Sequence, residues 1–254
     1  MPFSDEQRAR TIARFEEHRR AWAENPALRA LYAEWYGRIA AALPPPALGP
    51  RVEIGSGPGF ARQFIPDLEL TDLVRAPWHD REVSAEALPY GDASLGAIVL
   101  FDVLHHLPSP RKFFAEAVRV LRPGARLVMC EPYVSPVSYP VYKLFHDEPL
   151  ALRVDPLADQ TGSDARDPFD SNQAIPTLLF GRARATFESA FPALTIRAVE
   201  YFAGLSYPAS GGFSKRPLLP LPIWSVLHRL EARLPAAVLR RTAFRILVAI
   251  ERTL

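Results

Sequence analysis

The feature that most constrains this chain is a glycine-rich turn that follows a short apolar run. Residues 52–60 read VEIGSGPGF, with glycine at every second position from Gly55 to Gly59. Glycine lets the main chain approach a ligand more closely than any side chain would allow. Between a strand and a helix, such a turn presents unpaired N–H groups at the carboxyl end of a sheet, where α/β folds bind ligands. We predict a strand at Arg51, a ligand-binding turn, and a helix from Pro58.

The pattern on both sides of this turn predicts an open α/β sandwich. The short apolar runs RVEI, LELTDL, GAIVLF and RLVMCE are separated by other segments, among them the helical run RKFFAEAVRVL. Strands that alternate with helices imply parallel pairing through crossover connections. A helix near residues 175–190 and a late strand at LTIRAVEYF complete the predicted core.

Both ends of the chain read as helical additions to this core. Residues 1–43 predict two helices, the second with a wide apolar stripe that must face other residues. The basic tail at residues 213–254 predicts amphipathic helices, with Leu239, Ala243, Ile246, Ile250 and Leu254 on one face. Two placements stay open for the tail: packing on the core or a second subunit, or peripheral contact with an anionic membrane.

Composition restricts the class of protein. A length of 254 residues fits one domain with additions, and a net charge of +2 argues against a nucleic-acid partner. The single cysteine excludes an intramolecular disulfide, and the first residues lack a secretion pattern. We therefore expect a cytoplasmic protein, membrane-peripheral if the tail binds lipid. The oligomeric state stays open.

Four stretches in order resemble the motifs of class I S-adenosylmethionine-dependent methyltransferases. They are VEIGSGPG, LTDL, AEALPYGDASLGAIVLFDVLHHL and EAVRVLRPGARLVMCEP, within residues 51–132. The resemblance is closest to the small-molecule branch that includes quinone-biosynthesis and natural-product sugar methyltransferases. It implies a Rossmann-like sandwich at residues 51–212, with a seven-stranded, mostly parallel sheet, helices on both faces and a substrate-binding insertion at about 132–175. It also implies S-adenosyl-L-methionine as the cofactor.

The resemblance implies cofactor contacts at the positions that match the family's motifs. Asp72, at the end of the second strand, would accept hydrogen bonds from the ribose hydroxyls. Ser84 stands where many relatives place an aspartate that receives the adenine amino group. Gly96 and Ala125 are further departures, and none of the three removes a group beside the transferred methyl. The implied cofactor contacts are Glu53, Gly55, Ser56, Gly57, Gly59, Asp72, Ser84, Ala85, Glu86, Leu88, Phe101 and Asp102.

Two adjacent histidines, His105 and His106, follow the fourth predicted strand. The sulfonium is already a strong methyl donor, so the protein mainly aligns the acceptor and, for a hydroxyl, removes its proton. The resemblance to the sugar enzymes places this pair near the acceptor with an acid from the fifth strand, a position that Glu131 occupies here. We predict catalytic roles for these three residues, with one histidine as the base and oxygen as the methylated atom. A second interpretation is that one of the two histidines only holds the loop.

Polar and aromatic side chains outside the motifs are candidates for contact with a small-molecule acceptor. The tyrosines of the second helix either belong to the core or cover the cofactor. We expect no metal site at residues 146–148, because neighbouring residues of a helix point in different directions. The substrate candidates are Tyr32, Tyr36, Tyr133, His146, Glu148 and Asn172.

Other functions stay open at this point. The acceptor class has no decodable motif, so nitrogen or carbon methylation of a lipid-linked or natural-product acceptor is an alternative. Glycine turns of this kind also bind nicotinamide or flavin nucleotides. A non-catalytic protein that kept the fold and the cofactor site is the remaining alternative.

Overall fold

The fold is a seven-stranded sheet with helices, in the order β3-β2-β1-β4-β5-β7-β6. It comes from a computed structural model that describes residues 3–145, 148–159, 170–213 and 216–253. Strands β1 to β5 pair in parallel, and β7 is antiparallel to both of its neighbours. The predicted Rossmann-like methyltransferase sandwich, with a mostly parallel sheet, is confirmed.

The strand bounds follow the apolar runs closely. Alternate residues of β5 enter two different cores, since Leu127 and Met129 join one cluster while Val128 and Cys130 join the other. The sheet is therefore covered on both faces. The strands are β1 (Arg51–Ile54), β2 (Leu68–Asp72), β3 (Arg81–Glu82), β4 (Leu95–Phe101), β5 (Leu121–Pro132), β6 (Leu194–Phe202) and β7 (Arg245–Arg252).

The helices include the two predicted at the start of the chain. Ser4 caps the first helix in a reciprocal capping box with Gln7. The predicted helix near residues 175–190 is divided into two short helices. The helices are α1 (Asp5–Glu24), α2 (Pro26–Ala42), α3 (Pro110–Val120), α4 (Ser138–Phe145), α5 (Ile175–Leu179), α6 (Arg184–Ala190), α7 (Ser206–Ala209), α8 (Leu221–Glu231) and α9 (Ala236–Thr242).

The predicted helix from Pro58 is wrong. The backbone has positive φ at Gly57 (+48°) and Gly59 (+75°), a left-handed conformation that a right-handed helix cannot contain. Only a 3-10 turn at Ala61–Gln63 follows. The glycine segment is thus an irregular loop rather than the first turn of a helix.

The prediction of basic amphipathic helices across residues 213–254 is wrong in its last part. Residues 245–252 form β7, which lies inside the sheet between β5 and β6. The run from Phe244 to Ile250 is buried at every position, as expected for a strand covered on both faces, so its helical spacing was coincidental. Among the residues of this region that the structure describes, α8 and α9 are the helical segments. In the described part of the chain, none of the helices has the length and hydropathy to cross a membrane.

Asn25 joins α1 to α2 and ties both to the segment after α7. Its Oδ1 accepts from the Leu28 amide at 3.1 Å, and its Nδ2 donates to the Ser210 carbonyl at 2.8 Å. The second bond is buried, whereas the Ser4 cap of α1 is exposed. Asn25 therefore fixes the helical pair against the rest of the chain.

We expect Asn25→Ala to lower the free energy of unfolding by about 2 kcal/mol, because a helix cap and a buried hydrogen bond are both lost. The matched cap variant Ser4→Ala should cost about 0.5 kcal/mol. Urea denaturation followed by circular dichroism measures both. Equal losses in the two variants would contradict the structural role given to Asn25.

Candidate active site

A cavity of about 870 Å³ lies at the carboxyl ends of β1, β2 and β4. One part of its wall is the glycine turn with Asp72, and another is the loop that carries His105 and His106. Helices α1 and α2 contribute Phe15, Tyr32 and other side chains. The cavity therefore brings the predicted cofactor turn and the predicted catalytic loop to one space.

Side chains from neighbouring segments hold the glycine turn in place through hydrogen bonds to its backbone. The Gly57 amide donates to Asp72 Oδ2 at 2.8 Å, and the Gly57 carbonyl accepts from Trp78 Nε1 at 2.8 Å. His79 Nε2 lies 2.7 Å from the same carbonyl, and its Nδ1 accepts from the Ala76 amide. These contacts assign the ring proton of neutral His79 to Nε2. The turn is preorganised, which lowers the entropic cost of binding a ligand there.

Two glycines of the turn have no room for a side chain. A Cβ at Gly55 would lie 2.5 Å from Val103 Cγ2, and one at Gly59 would lie 2.5 Å from Trp78 Cδ1. At Gly57 the nearest atom is 3.7 Å away, in the ring of Phe15. Gly55 and Gly57 line the cavity, whereas Gly59 lies against Trp78, away from the cavity wall. The predicted direct cofactor contact of Gly59 is thus corrected to packing of the turn.

Glu53 lies beneath the turn. Its side chain is fully buried, and its Oε1 accepts from the Tyr36 hydroxyl at 3.0 Å. Burial raises the pKa of Glu53 to about 8, and the hydrogen bonds from Ser56 and Tyr36 only partly oppose this rise. Glu53 does not belong to the cavity wall, so it can act on a ligand only through Tyr36 or the turn.

Ser84, Ala85 and Glu86 lie on the cavity wall, as the resemblance implied for the adenine side. Glu86 Oε1 accepts from the Ser109 amide at 2.6 Å, which leaves its other oxygen for a ligand. Leu88 lies in the core instead, with its amide bound to Glu116. The predicted cofactor contact of Leu88 is therefore corrected to a packing role.

Aromatic rings of α2 close the cavity from above the sheet. The ring of Tyr32 lies 4.9 Å from that of Phe101, and the ring of Tyr36 lies 5.0 Å from it, both in stacked arrangements. All three residues line the cavity. The tyrosines of α2 therefore pack in the core and also line the cavity. The sequence alone offered these two placements as alternatives.

Glu131 organises the loop after β4. Its Oε1 accepts from the amides of Val103 and Leu104, each at 2.9 Å, and its Oε2 lies 2.7 Å from His105 Nδ1. Burial opposes the charge of Glu131, but the His105 hydrogen bond and the two amides keep its pKa below the usual range. Glu131 therefore stands behind His105 as an anion, outside the cavity wall.

His105 is held between two carboxylates. Its Nε2 lies 3.5 Å from Glu148 Oε2, on the side opposite Glu131. Burial alone would lower the pKa of His105, but Glu131 and Glu148 outweigh it and raise the pKa to about 10. His105 is therefore an imidazolium near neutral pH and has no lone pair with which to accept a proton.

His106 has the opposite electrostatic environment. Burial, followed by the charge of His105, lowers the pKa of His106 to about 4. Its Nδ1 lies 3.3 Å from the Asp170 carbonyl, which can only accept, so Nδ1 carries the ring proton and Nε2 the lone pair. Of the two histidines, His106 alone has the protonation state of a base.

Arg245, which the sequence did not reveal as a site residue, lines the same cavity. Its guanidinium nitrogen lies 2.6 Å from Asp102 Oδ1, and its Cζ lies 4.9 Å from the Trp35 ring centroid. The side chain is fully buried, and nearby Asp102 raises its pKa further against the effect of burial. Asp102 itself has a left-handed φ of +57°. A charged pair inside an aromatic box is an expensive arrangement to maintain, which points to a role in the site.

The remaining substrate candidates divide between the cavity and its supports. Glu148 lines the cavity. Tyr133 does not, since its hydroxyl donates to the Arg240 carbonyl at 3.1 Å, and Asn172 is used by backbone groups of Ala151 and Ala174. Both are corrected to structural roles, because their polar atoms are engaged away from the cavity. His146 lies outside the described residues.

Within the described ranges, two groups of side chains come close enough to hold a metal: His105, His106 and Glu148, and Asp102, His105 and Glu131. Both groups need His105, and both of its nitrogens already face carboxylates. A metal would have to displace its protons. The prediction that no metal is bound stays a prediction.

The comparisons with known proteins concern mainly the first half of the sheet. The family model described as a methyltransferase domain matches residues 52–129. Residues 52–129 are a methyltransferase domain. The seven-stranded sheet around this domain has the Rossmann-like fold of class I methyltransferases.

Two curated proteins match part of the chain. A demethylmenaquinone methyltransferase of Clavibacter sepedonicus is 42% identical over 53 residues, which are 21% of this chain and 22% of that protein. A ubiquinone/menaquinone biosynthesis C-methyltransferase of Brucella anthropi is 39% identical over 67 residues, or 26% and 25% of the two chains. The matches thus span about a quarter of the length of these relatives.

Solved structures resemble the chain over a greater length at low identity. Geranyl diphosphate C-methyltransferase from Streptomyces coelicolor is 13% identical, with 92% of this chain and 83% of that chain covered and a TM-score of 0.48. The [4+2]-cyclase SpnF is 16% identical, with coverages of 87% and 80% and a TM-score of 0.46.

The methyltransferase domain contains the glycine turn, Asp72 and the two histidines, but it ends before Glu131 and Arg245. The residues that set the charge of the loop after β4 therefore come partly from outside the family match. Tyr32 and Tyr36 of α2 are also outside it. The cavity wall therefore combines residues of the matched domain with residues from outside it.

We expect nitrogen-15 NMR of the imidazoles to show His105 doubly protonated up to about pH 9 and His106 neutral at pH 6, because the folded pKa values are about 10 and about 4. Since the pKa of His105 is raised by folding, its contribution to stability is complete below pH 6.5 and is lost as the pH rises through 10. Glu131→Gln should bring the pKa of His105 down. A wild-type His105 signal that titrates near pH 6.5 would contradict the charge assignment, with His105→Asn used to identify the signal.

Proposed function

We propose that the whole chain is an S-adenosylmethionine-dependent methyltransferase that acts on a small-molecule acceptor. One observation carries the proposal: a single cavity of about 870 Å³ joins the glycine turn and Asp72 to the loop of His105 and His106. Both of these parts of the wall lie in the methyltransferase domain at residues 52–129. The second part offers a space for an acceptor beside the methyl group.

The acceptor atom that fits the loop best is a hydroxyl oxygen. Methyl transfer needs the acceptor aligned with the sulfonium, and a hydroxyl also needs a base. His106 supports that role, because it is neutral and its Nδ1 proton faces the Asp170 carbonyl. Charged His105, held by Glu131, acts as a positioning residue that keeps His106 unprotonated.

Carbon methylation of a quinol-type acceptor is the second candidate. Both curated relatives act in quinone biosynthesis by name, and one is named a C-methyltransferase. Removal of a hydroxyl proton from an aromatic ring makes the neighbouring carbon a better nucleophile, so His106 would serve this reaction as well. The non-catalytic alternative stays open until turnover is measured.

Cofactor binding tests the first half of the proposal. We expect calorimetry to show binding of both S-adenosylmethionine and its demethylated product. Gly57→Ala should weaken both by tenfold or more, because the new methyl enters the cavity from a backbone with φ of +48°. Gly37→Ala, on α2 with no atom within 4 Å of the added Cβ, is the matched control and should bind normally. Absence of binding at millimolar concentration would overturn the proposed cofactor.

Turnover tests the second half. With methyl-labelled cofactor and a panel of phenolic, quinol and sugar acceptors, we expect His106→Ala to lower kcat by about 10²-fold to 10⁴-fold with cofactor binding unchanged. The wild-type rate should show no inflection near pH 6.5, because the pKa of His106 is about 4. If His105→Ala and His106→Ala both keep the full rate, base catalysis by this loop is wrong. Bound cofactor with no turnover of any acceptor would favour the non-catalytic alternative.

A further inference from the structure

Large apolar side chains are exposed at the end of α4 and along residues 218–230, and each of these two segments contributes one such residue to the cavity wall. We call them the apolar rim. Their exposed fractions range from 49% at Val226 to 71% at Leu144 and Leu218, unusually high for residues of this type. The rim consists of Leu144, Phe145, Leu218, Ile223, Val226 and Leu230.

Helix α8 is apolar on two opposite sides. Its inner side carries Trp224, which is buried and donates from Nε1 to the Ser206 carbonyl at 2.7 Å. Its outer side carries Ile223, Val226 and Leu230 at spacings of three and four residues, which align them in one stripe. The inner side already packs the helix against the protein. The outer stripe is therefore available for contact with another molecule.

The rim continues into the cavity. Phe145 and Leu218 line the cavity wall and are also 65% and 71% exposed, so they stand at its mouth. An apolar mouth offers little to a hydrophilic acceptor, which would have to give up its water on entry. The hydrocarbon portion of an acceptor makes no hydrogen bonds to water, so its entry through this mouth would carry no such cost.

Positive charge accompanies the rim. Residues 216–242 contain five arginines, all exposed, and one acid. That acid, Glu231, accepts from the Ser206 amide at 3.1 Å through each oxygen and therefore faces the protein. The exposed charge of the segment is thus basic only. The arginines are Arg216, Arg229, Arg233, Arg240 and Arg241.

We propose that the apolar rim and these arginines form a surface that docks on an anionic lipid bilayer, and that the cavity mouth receives an apolar acceptor from that bilayer. An apolar stripe with basic residues around it matches the interface of a membrane, where acyl chains lie beneath negative headgroups. This contact differs from the one the sequence suggested, because the tail after residue 244 is a buried strand. The second part of the proposal rests on the proposed function.

Flotation with vesicles tests the docking surface. Wild-type protein should float with vesicles that contain phosphatidylglycerol at low salt and stay behind with pure phosphatidylcholine. The double variant Arg229→Glu and Arg233→Glu should bind the anionic vesicles at least tenfold more weakly. The triple variant Ile223→Ser, Val226→Ser and Leu230→Ser should lose binding to a similar degree, and circular dichroism checks that it folds.

The control makes the same change of charge elsewhere. Arg111 and Lys112 are exposed at the start of α3, so Arg111→Glu with Lys112→Glu should float like wild type. The proposal is overturned if wild type does not float, if all variants float equally, or if the triple variant changes only the oligomeric state in gel filtration. The last result would identify a contact between copies of the chain.

Calorimetry with the demethylated cofactor separates the two proposals. Protein that binds the cofactor but not vesicles would end the membrane proposal and leave the proposed function standing. Protein that binds vesicles but not the cofactor would end the proposed function and leave the docking surface standing. A quinol with a prenyl chain, supplied in anionic vesicles, should be methylated at least tenfold faster by wild type than by the triple variant. Equal rates would remove the claim that the acceptor comes from the bilayer.

Discussion

The buried carboxylate of Glu131 is the interaction on which the candidate site depends. It binds two loop amides and His105 together, so it sets both the shape of the loop after β4 and the charge on it. Burial, together with the charge of His105, keeps His106 neutral. Because the surroundings are buried, each of these effects is stronger than it would be in water. Two carboxylates and burial therefore make the two adjacent histidines chemically unequal.

The two sides of the cavity present different kinds of group to a ligand. The cofactor side uses backbone, held in place by Asp72, His79 and Trp78, with few charged groups exposed to a ligand. The opposite side uses aromatic rings around Arg245 and Asp102. Backbone recognition suits a cofactor that is always the same. Side chains outside the methyltransferase domain suit an acceptor that differs between enzymes.

Much of the fold, and the place of the glycine turn on the cavity wall, could be predicted from the sequence, because both depend on local patterns. The runs RVEI and GAIVLF became strands, and the glycine turn lies between β1 and the cavity. The prediction of a helix at the end of the chain was wrong because the apolar residues of AFRILVAI also fit a helical period. Burial on both faces, which the sequence does not show, identifies the run as a strand. Arg245 was missed for the same reason. The unequal charges of His105 and His106 depend on Glu148, which no local pattern connects to them.

The position of β7 has a consequence for how the protein reaches its native state. Strand β6 pairs with β7 and with no other strand of the sheet, and β7 follows it by more than forty residues of chain. During synthesis, β1 to β5 can assemble while β6 still waits for its neighbour. Arg245 begins β7, so its contact with Asp102 can form only when that strand is inserted. The part of the cavity wall that Arg245 contributes would then be the last part of the cavity to form.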